Sequence, residues 1–404
     1  MPDPSLPTEG PPLHIGIMLR TIDETGGIGV YTRNIVEELL RIDQRNRYSL
    51  FYRTPRHLGR YAQFANATES LIRAPHKVLW DQWAIPRAAA RAGVEVLFHP
   101  KFTVPFLTSI PSVMVVHGAD WFIPPYHKVY NRLDTAYIRT VMPWYFRKAA
   151  RVISVSRYST RGFADAMPTH RHKLETIYFA PNRAFRRVED QAVLQKVRAR
   201  YQLPDPFILT VIRYDGGRKK YRKNFGNMAQ GFARCKRQHG IPHALVVAGK
   251  GCDQFGRDHD LAAMGIANDV QFPGLVAQED LPAFYTLADA YLYPTVIEAF
   301  PIPITEALSC GCPIVTSRGT GLEELAGDAA LLVDPADPVA IGDALHRILT
   351  ESDLRETLRR RGLERAALFD WSDCAHRTLD LLTRVAHRQP GRSPGRAREV
   401  GSAG

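Results

Sequence analysis

The sequence predicts an α/β protein with two doubly wound, parallel-sheet domains that face each other across a central cleft. Two observations support this prediction. Short apolar segments alternate with segments of helical periodicity in two separate series along the chain. The length of 404 residues suits two domains of ordinary size, and 45% of hydrophobic residues can fill two cores. Because ligands of such sheets bind at the carboxyl ends of the strands, we expect a site in the cleft.

The first series of elements lies in residues 13–183, which we predict to form the N-terminal domain. Apolar segments predict its strands at 14–20, 48–52, 94–99, 112–117 and 151–156, with a closing segment at 175–180. Helical periodicity is found at 30–41, and a helix is expected to open over 156–163. Residues 1–12 are expected to be disordered. Residues 184–206 are polar and charged without this rhythm, so we predict a linker there.

The second series, in residues 207–371, predicts a C-terminal domain of the same kind. Its predicted strands lie at 207–213, 244–249, 270–272, 290–293, 314–317 and 330–333. Its predicted helices lie at 225–238, 278–288, 305–310, 321–325 and 338–350. A last helix is predicted at 372–387, and the basic tail 388–404, rich in Arg, Gly and Ser, is expected to be disordered.

Cysteine usage and hydropathy indicate the compartment. The five cysteines have neither the even number nor the regular spacing of a disulfide framework. Cys310 and Cys312 form a close pair, but no second Cys or His pair completes a zinc site. No apolar run approaches the roughly 20 residues that cross a bilayer, and no signal-peptide pattern is found. We therefore expect a reduced, cytoplasmic protein.

The formal net charge of +12 is concentrated in the first half of the chain. Residues 1–185 carry 24 Lys or Arg against 14 Asp or Glu, whereas residues 186–404 carry 29 against 27. This asymmetry predicts an anionic partner on the first half. The aromatic and basic segment 121–151 suits an acceptor groove or a membrane interface, and the alternative is an ordinary amphipathic helix on the sheet. We expect no nucleic acid, because no recognised binding module accompanies the charge.

The segment 291–316, YLYPTVIEAFPIPITEALSCGCPIVT, carries the most chemical information. Glu298 and Glu306 stand eight positions apart among mostly apolar or small residues. Burying an acid is costly without a polar partner, so this pattern indicates a ligand with hydroxyl groups. The alternative is a solvated helix with two surface acids. A helix starting near Ile304 would present free N–H groups, which suit phosphate.

Further candidate residues follow the predicted strands. The glycine loop 26–29, which includes Gly27 and Gly29, separates a strand from a helix, so its backbone can approach an anion closely. His117 ends a strand, where ligands gather, although a lone His often has a structural role. In the second half, Arg213 ends a strand and Lys223 precedes a helix. Asp258 and Asp260 follow no strand, so we predict a surface turn and no metal site there.

Taken together, these residues resemble the large retaining glycosyltransferase family four, also called group 1, and its bacterial mannosyltransferases. That family has the GT-B fold. The spacing of Glu298 and Glu306 carries the resemblance, which covers residues 13–387 and is strongest over 207–335. It implies that Glu298 contacts the donor sugar and is catalytic, with His117 beside the sugar, and that Glu306 binds the ribose of the nucleotide.

The resemblance also implies roles for the loops. The donor diphosphate would be bound by Arg213, Lys223, Gly27 and Gly29, with Lys219 as the reserve for Lys223. The nucleotide would also be bordered by Lys250, Leu275 and Val276, and the donor sugar by Phe300, Pro301 and Ile302. Relatives usually have glycine where Ala299 and Pro301 stand here, and proline has no N–H to offer the sugar.

The implied activity is transfer of a hexose, favoured to be mannose-like, from a GDP-, UDP- or dTDP-sugar. The acceptor would be a glycan or a lipid-linked molecule in cell-envelope or exopolysaccharide synthesis. The reaction would retain the anomeric configuration and need no metal or other cofactor. The first domain would bind the acceptor and the second the donor, with the last helix crossing back to the first domain. The expected location is cytoplasmic, peripheral on the inner face of an anionic membrane.

Two alternatives on the same fold remain open. A sugar-nucleotide epimerase would need no acceptor. A non-catalytic glycan- or lipid-binding protein is the second alternative, because fold alone does not fix function. The presence of Glu298, Glu306 and Arg213 argues against it.

Overall fold

A computed structural model describes residues 11–24, 26–124 and 130–388, without the side chains of residues 218–220. In this part of the chain the strands form two sheets, of seven and six strands. The strands of the first sheet are β1 His14–Met18, β2 Arg47–Tyr52, β3 Ala67–Leu71, β4 Val96–His99, β5 Ser112–Val116, β6 Arg151–Ser154 and β7 Leu174–Thr176. Those of the second are β8 Phe207–Val211, β9 Ala244–Ala248, β10 Val270–Gly274, β11 Ala290–Tyr293, β12 Ile314–Ser317 and β13 Ala330–Val333.

The helices lie between the strands and on both sides of the sheets. They are α1 Gly27–Ile42, α2 Lys77–Leu79, α3 Ile85–Ala92, α4 Arg132–Lys148, α5 Arg157–Ala166, α6 Gln191–Tyr201, α7 Phe225–His239, α8 Asp253–Asp258, α9 Leu281–Leu287, α10 Ile302–Ser309, α11 Gly321–Ala326, α12 Pro338–Thr350, α13 Ser352–Ala366 and α14 Trp371–His387. A π-helical turn, Trp80–Ala84, joins α2 to α3, and short 3-10 segments lie at Pro55–His57, Pro168–Lys173 and Gly217–Lys223.

The order of the strands confirms the predicted fold class. The first sheet runs β3-β2-β1-β4-β5-β6-β7 and the second β10-β9-β8-β11-β12-β13, with parallel pairing throughout the described strands. In each sheet the order reverses beside the first strand of its series, at β1/β4 and at β8/β11. Loops diverge at such a reversal and leave a crevice at the carboxyl ends of the strands. Both crevices open on the cleft.

Several elements differ from the sequence predictions. Strand β3 was not predicted, because it is an edge strand whose residues are only partly buried and show no apolar run. The region expected to be an irregular linker contains α6, which begins at an Asp190 side-chain cap and buries only Leu194 and Val197. Helices α2, α3 and α13 were also missed. The amphipathic helix considered as the alternative for 121–151 is present, but it begins only at Arg132.

The two sheets are joined by packing across the cleft. The Glu324 carboxylate of α11 accepts hydrogen bonds from the backbone N–H groups of Arg157 and Tyr158, at 2.7 and 2.6 Å. These N–H groups begin α5, where a helix attracts a negative charge. The rings of Phe179 and Phe300 stack with centroids 3.9 Å apart. These contacts join the segments that follow β6 and β7 to the segments that follow β11 and β12.

Helix α14 connects the second half of the chain to the first sheet. It packs against α1, and its Arg377 donates to the carbonyl oxygen of Thr176 in β7 at 2.7 Å. At its start, Trp371 Nε1 donates to the Pro181 carbonyl oxygen at 2.9 Å. The division at 13–183, 184–206 and 207–371 stays our proposal. The expectations for residues 1–12 and 388–404 fall almost wholly outside the described residues.

None of the helices in the described part of the chain combines the length and the hydropathy that crossing a bilayer requires.

Candidate functional site

The cleft contains a network of buried charges around Glu298, which lies in the loop between β11 and α10. Lys223 Nζ lies 2.8 Å from Glu298 Oε1, and Arg222 Nη2 lies 3.3 Å from Oε2. Lys223 also donates to the Tyr293 hydroxyl oxygen at 3.2 Å. Both bases end the 3-10 segment that precedes α7. One carboxylate therefore holds two cations at the carboxyl end of the second sheet.

Arg222 extends this network across the cleft to the first sheet. Its Nη1 donates to the Tyr130 hydroxyl oxygen at 2.9 Å, and its Nη2 lies 3.5 Å from Asp120 Oδ2. The Tyr130 hydroxyl in turn donates to the same Asp120 oxygen at 2.8 Å. Asp120 Oδ1 is buried and has no hydrogen-bond partner among the described residues. The arrangement leaves one acceptor oxygen for a ligand.

The charges of the network stabilise one another. Burial alone would raise the pKa of Glu298, but the positive charges of Lys223 and Arg222 outweigh burial and hold that pKa below its ordinary value. Burial likewise opposes the charge of Lys223 and of Arg222, yet Glu298 raises the pKa of both bases above their ordinary values. All three groups are therefore ionised near neutral pH.

Glu306 occupies a different environment, on α10 beneath the same loop. It is buried, and its Oε2 accepts a hydrogen bond from the Tyr285 hydroxyl at 2.9 Å. Burial raises the pKa of Glu306 to about 7, because the hydrogen bond from Tyr285 compensates only in part. The two acids of the E-x7-E pattern thus differ in charge near neutral pH.

Both sheets contribute to a cavity of about 260 Å³ at the centre of the cleft. Its walls from the first sheet include Gly27, His117, Gly118, Asp120 and Trp121. Its walls from the second include Arg222, Glu298, Ala299 and Phe300. The cavity combines two carboxyl groups, a guanidinium and aromatic rings, which suits a small polyhydroxylated ligand.

His117 lies in this cavity wall in a defined tautomer. Its Nε2 is 2.7 Å from the Pro100 carbonyl oxygen, which can only accept, so Nε2 carries the proton. The ring packs edge-on against Tyr31, with centroids 5.1 Å apart. Burial lowers the pKa of His117 to about 4, so the ring is neutral at physiological pH. The side chain can therefore accept a hydrogen bond through Nδ1, but it carries no positive charge at physiological pH.

The glycine loop brings the first domain close to the second. Helix α1 begins at Gly27, and no side chain caps its start at Gly26, so its first N–H groups are available. A Cβ atom added at Gly26 would lie 3.4 Å from Arg213 Nη1, and one at Gly27 would lie 3.5 Å from Ile302 Cδ1. At Gly29 it would lie 1.7 Å from the Glu24 carbonyl oxygen, so the loop admits only glycine there.

Arg213 stands half-exposed opposite this loop. Its Nε donates to Asp215 Oδ1 at 2.6 Å. Pro301 caps α10 and Ile302 begins it, so the starts of α1 and α10 face each other beside the Arg213 guanidinium. Two helix N-termini and a guanidinium make this part of the cleft favourable for an anion.

The other predicted residues lie at the rim of the second sheet. Lys250 is exposed, and its carbonyl oxygen accepts from Tyr214 N–H at 3.1 Å. Leu275 is also exposed, whereas Val276 is buried. Phe300 is buried against Phe179. The structure thus brings Glu298, His117 and Gly27 to one cavity, with Lys223 behind it bonded to Glu298, but leaves Lys250 and Leu275 outside the cavity wall.

No metal site is found among the described residues, within which no three His, Cys, Asp or Glu side chains cluster suitably. Asp258 ends α8 at the surface, and Asp260 Oδ1 accepts from Ala263 N–H at 2.9 Å, as in a turn. Cys310 and Cys312 are buried free thiols. The side chain of Lys219, the reserve for Lys223, lies outside the described residues.

Arg222, Tyr130 and Tyr293 were not predicted as site residues, and no role was given to Asp120. In the sequence, Arg222 is one of several bases in the loop YDGGRKKYRKN, and nothing local separates it from the others. Tyr130 belongs to a stretch of many aromatic residues. The one available signal was the position of Arg222 directly before Lys223.

Comparison with known families accounts for both halves of the chain. Residues 204–365 match the family model described as "Glycosyl transferases group 1". Residues 25–180 match the model described as "Glycosyltransferase Family 4". The two matched ranges contain strands β2 to β13, together with Glu298, Lys223 and His117.

Individual relatives are more distant. An O-antigen chain mannosyltransferase B of Escherichia coli is 33% identical over 165 residues, which are 41% of this chain and 43% of that protein. The chain spans less than half the length of the curated relatives it matches. The crystal structure of Anabaena Alr3699/HepE with UDP and glucose has a TM-score of 0.71 at 16% identity, covering 92% of this chain and all of that one. WaaG, a glycosyltransferase involved in lipopolysaccharide biosynthesis, has a TM-score of 0.67 at 15% identity over 91% and 99% of the two chains.

Because the pKa of Glu306 is raised, this carboxyl should make the free energy of unfolding depend on pH. The variant Glu306→Gln should lack that contribution. The folded protein keeps this proton up to pH about 7, whereas the unfolded chain releases it near the ordinary value of 4.5. The protonated Glu306 carboxyl therefore stabilises the folded protein. This contribution to the free energy of unfolding is complete below the pKa of the unfolded chain and is lost as the pH rises through the pKa of the folded protein. It amounts to at most about 3 kcal/mol. We expect the wild type to lose more stability than Glu306→Gln between pH 5 and pH 8 in urea unfolding.

Glu356→Gln, on the exposed face of α13, is the matched control and should follow the wild type. Parallel pH profiles of wild type and Glu306→Gln would contradict the prediction.

Proposed function

The chain belongs to glycosyltransferase family 4, group 1, and from that membership we propose that it is a retaining hexosyltransferase that uses a nucleoside-diphosphate sugar. The observation that carries the proposal is the ionised, buried Glu298 held by Lys223 and Arg222 at the carboxyl end of the second sheet. In this proposal Glu298 faces the donor sugar. His117 and Asp120 approach the sugar from the first sheet.

We propose that the positive groups of the cleft bind the diphosphate and stabilise it as it leaves the sugar. Breaking the bond between sugar and diphosphate leaves negative charge on the phosphate oxygens, and fixed cations in a water-poor cleft stabilise that charge. We assign this role to Arg213, Lys223 and the newly found Arg222, together with the N–H groups of the glycine loop at Gly27. Gly29 keeps that loop closed on Glu24.

The remaining donor contacts are assigned by position. Glu306 accepts from the ribose hydroxyls, and Lys250, Leu275 and Val276 border the base. The loop Phe300-Pro301-Ile302 lines the sugar. A guanine, uracil or thymine nucleotide is compatible with these residues.

We propose a mannose-like hexose and an acceptor from cell-envelope or exopolysaccharide synthesis. The support is the similarity to an O-antigen chain mannosyltransferase, together with the basic and aromatic character of the first domain. We also propose that the protein works in the cytoplasm, peripherally on an anionic membrane. A sugar-nucleotide epimerase and a non-catalytic binding protein remain the alternatives.

Glu298→Gln tests the central assignment. Because the amide lacks the charge that the reacting sugar requires, we expect kcat of transfer to fall by about 10²–10³-fold. Binding of the bare nucleoside diphosphate should stay unchanged or tighten, since Lys223 and Arg222 lose a counter-ion. Glu356→Gln should leave both unchanged. Activity of Glu298→Gln equal to that of the wild type would refute the role of this carboxylate.

Metal independence is a second expectation, because three basic side chains are available in place of a divalent cation. Transfer should continue at an undiminished rate in excess EDTA, measured by release of the nucleoside diphosphate. If EDTA stops turnover and magnesium or manganese restores it, the assignment of the diphosphate to basic side chains alone is wrong.

The stereochemistry of the product gives a third test. The new glycosidic bond should have the anomeric configuration of the donor, as measured from the one-bond carbon–hydrogen coupling by NMR. An inverted product would exclude the proposed reaction, and a free epimerised sugar nucleotide would favour the epimerase.

A further inference from the structure

The first domain exposes a patch of large apolar residues beside the cleft. In the described part of the chain, eight of fifteen exposed large hydrophobic side chains belong to three segments of this domain. They are Val78, Leu79, Trp83, Phe106, Leu107, Leu133, Tyr137 and Trp144, and we call them the apolar rim. Leu107 and Leu133 are 84% and 78% exposed, the highest values in the set. Contiguous exposed apolar residues of this kind indicate an interaction surface.

The three segments form one continuous surface. The loop containing Phe106 is tied to the π-helical turn, because Gln82 Oε1 accepts from Phe106 N–H at 2.8 Å. The rings of Phe106 and Tyr145 of α4 stack with centroids 5.3 Å apart. Three residues further along α4, Lys148 Nζ donates to the Thr108 carbonyl oxygen at 2.7 Å.

Helix α4 carries apolar residues on two opposite faces. Ile138, Met142 and Phe146 are buried against the first sheet. Leu133, Tyr137 and Trp144 are exposed at spacings of four and seven, which place them on one stripe of the helix. A helix with one buried apolar face and a second apolar stripe in solution lacks a partner on the second face.

Basic residues accompany the rim. The segments 77–92, 102–108 and 132–148 contain seven Lys or Arg and two Asp. One of the acids, Asp81, is buried and paired with Arg20 at 3.0 Å. Arg87 lies over the Trp83 ring, 4.1 Å from its centroid. Tryptophan, tyrosine and leucine flanked by arginine and lysine are typical of the interface of an anionic bilayer.

A cavity of about 450 Å³ opens within the rim. Val78, Phe106, Tyr137 and Val141 form an apolar part of its wall. Arg20, Asp81, Lys101 and Thr103 form a polar part. Lys101 is paired at 2.7 Å with Glu24, which precedes the glycine loop, so the polar part lies towards the donor site.

This rim cavity adjoins the cleft cavity that contains Glu298. Phe102, Trp121 and Tyr130 line both. A ligand with an apolar chain at the rim can therefore present a polar head group towards Glu298. A volume of about 450 Å³ falls within the range of ligand sites, about 300–1,000 Å³.

We propose that the apolar rim docks on an anionic lipid bilayer and that the rim cavity receives a lipid-linked acceptor from it, with the apolar chain in the rim cavity and the sugar head group towards Glu298. This inference rests on the proposed glycosyl transfer and specifies its acceptor as amphipathic. The bilayer covers the apolar stripe of α4, and the flanking bases meet anionic head groups. The acceptor reaches the donor sugar without leaving the membrane.

Docking is tested with vesicles of equal parts phosphatidylcholine and phosphatidylglycerol, against phosphatidylcholine alone. Trp83 and Trp144 are exposed, whereas Trp80 and Trp371 are buried, so brominated lipid should quench chiefly the first two. We expect quenching only with the anionic vesicles, decreasing as salt rises. The double variant Trp83→Phe/Trp144→Phe should bind the vesicles but lose most of the quenching.

Leu107→Gln/Leu133→Gln should weaken vesicle binding at least about tenfold, because two leucines no longer enter the bilayer. The matched control is Leu363→Gln/Leu368→Gln, two exposed leucines of the second half of the chain, and it should bind like the wild type. Absence of binding by the wild type at low salt, or equal loss in the control, would overturn the docking. A rim variant that instead dissociates an oligomer would assign the surface to a second copy of the chain.

The acceptor class is tested with dodecyl mannoside below its micelle concentration against methyl mannoside, by calorimetry. We expect the dodecyl glycoside to bind more tightly, and Val141→Trp, which fills the cavity, to remove the difference. Tyr137→Glu, which changes the wall of the same cavity at the rim, is the second variant and should have the same effect. Retained binding of a nucleoside diphosphate shows that each variant is folded and that the donor site is intact.

Equal affinities of the two glycosides for the wild type would overturn the lipid-linked acceptor while leaving the transferase proposal standing. Absence of nucleoside-diphosphate binding by the wild type would instead refute the proposed function itself.

Discussion

The geometry of the cleft depends on keeping one buried carboxylate ionised. A carboxylate without partners would take up a proton in this environment, and the bonds from Lys223 and Arg222 to Glu298 prevent it. Those bases are fixed in turn by Asn224, whose backbone is left-handed with φ of 58°. Its side-chain amide donates to the carbonyl oxygens of Pro294 and Pro335, at 2.7 and 2.6 Å. The loop conformation of one asparagine thus determines where two cations lie.

The same network connects the ligand site to the contact between the two sheets. Arg222 bonds to Glu298 on its own sheet and to Tyr130 and Asp120 on the other. In the proposed function, the phosphate oxygens of a donor compete for this guanidinium and for Lys223. Each bond that the phosphate takes over frees a carboxylate oxygen of Glu298 or Asp120 to accept from a sugar hydroxyl. The Glu324 contact with α5 does not involve these groups, so the phosphate does not compete for it.

The sequence predicted the fold class and the family because apolar strand segments and the E-x7-E pattern are local signals. It also predicted that Glu298 and Lys223 belong to the site, although not that they bond to each other. It could not predict Arg222, since burial of one base among several is decided by the tertiary fold. Strand β3 and helix α6 escaped prediction because each buries only part of one face, so the apolar periodicity is weak. The Lys77–Ala92 region was missed for another reason, since its exposed apolar residues obscure the pattern of an ordinary surface helix.

The two glutamates of the pattern gain opposite properties from their surroundings. Glu298 lies in a loop next to two cations and stays charged, whereas Glu306 lies inside α10 against Tyr285 and has a pKa of about 7. Environments that separate the pKa values of two carboxyls are how one site assigns them different tasks. The difference between the two pKa values also affects the charge in the cleft. With Glu306 partly neutral, three bases of the second half of the chain, Lys223, Arg222 and Arg213, face two acids, Glu298 and Asp215. This side of the cleft therefore keeps a positive charge, which favours an anion.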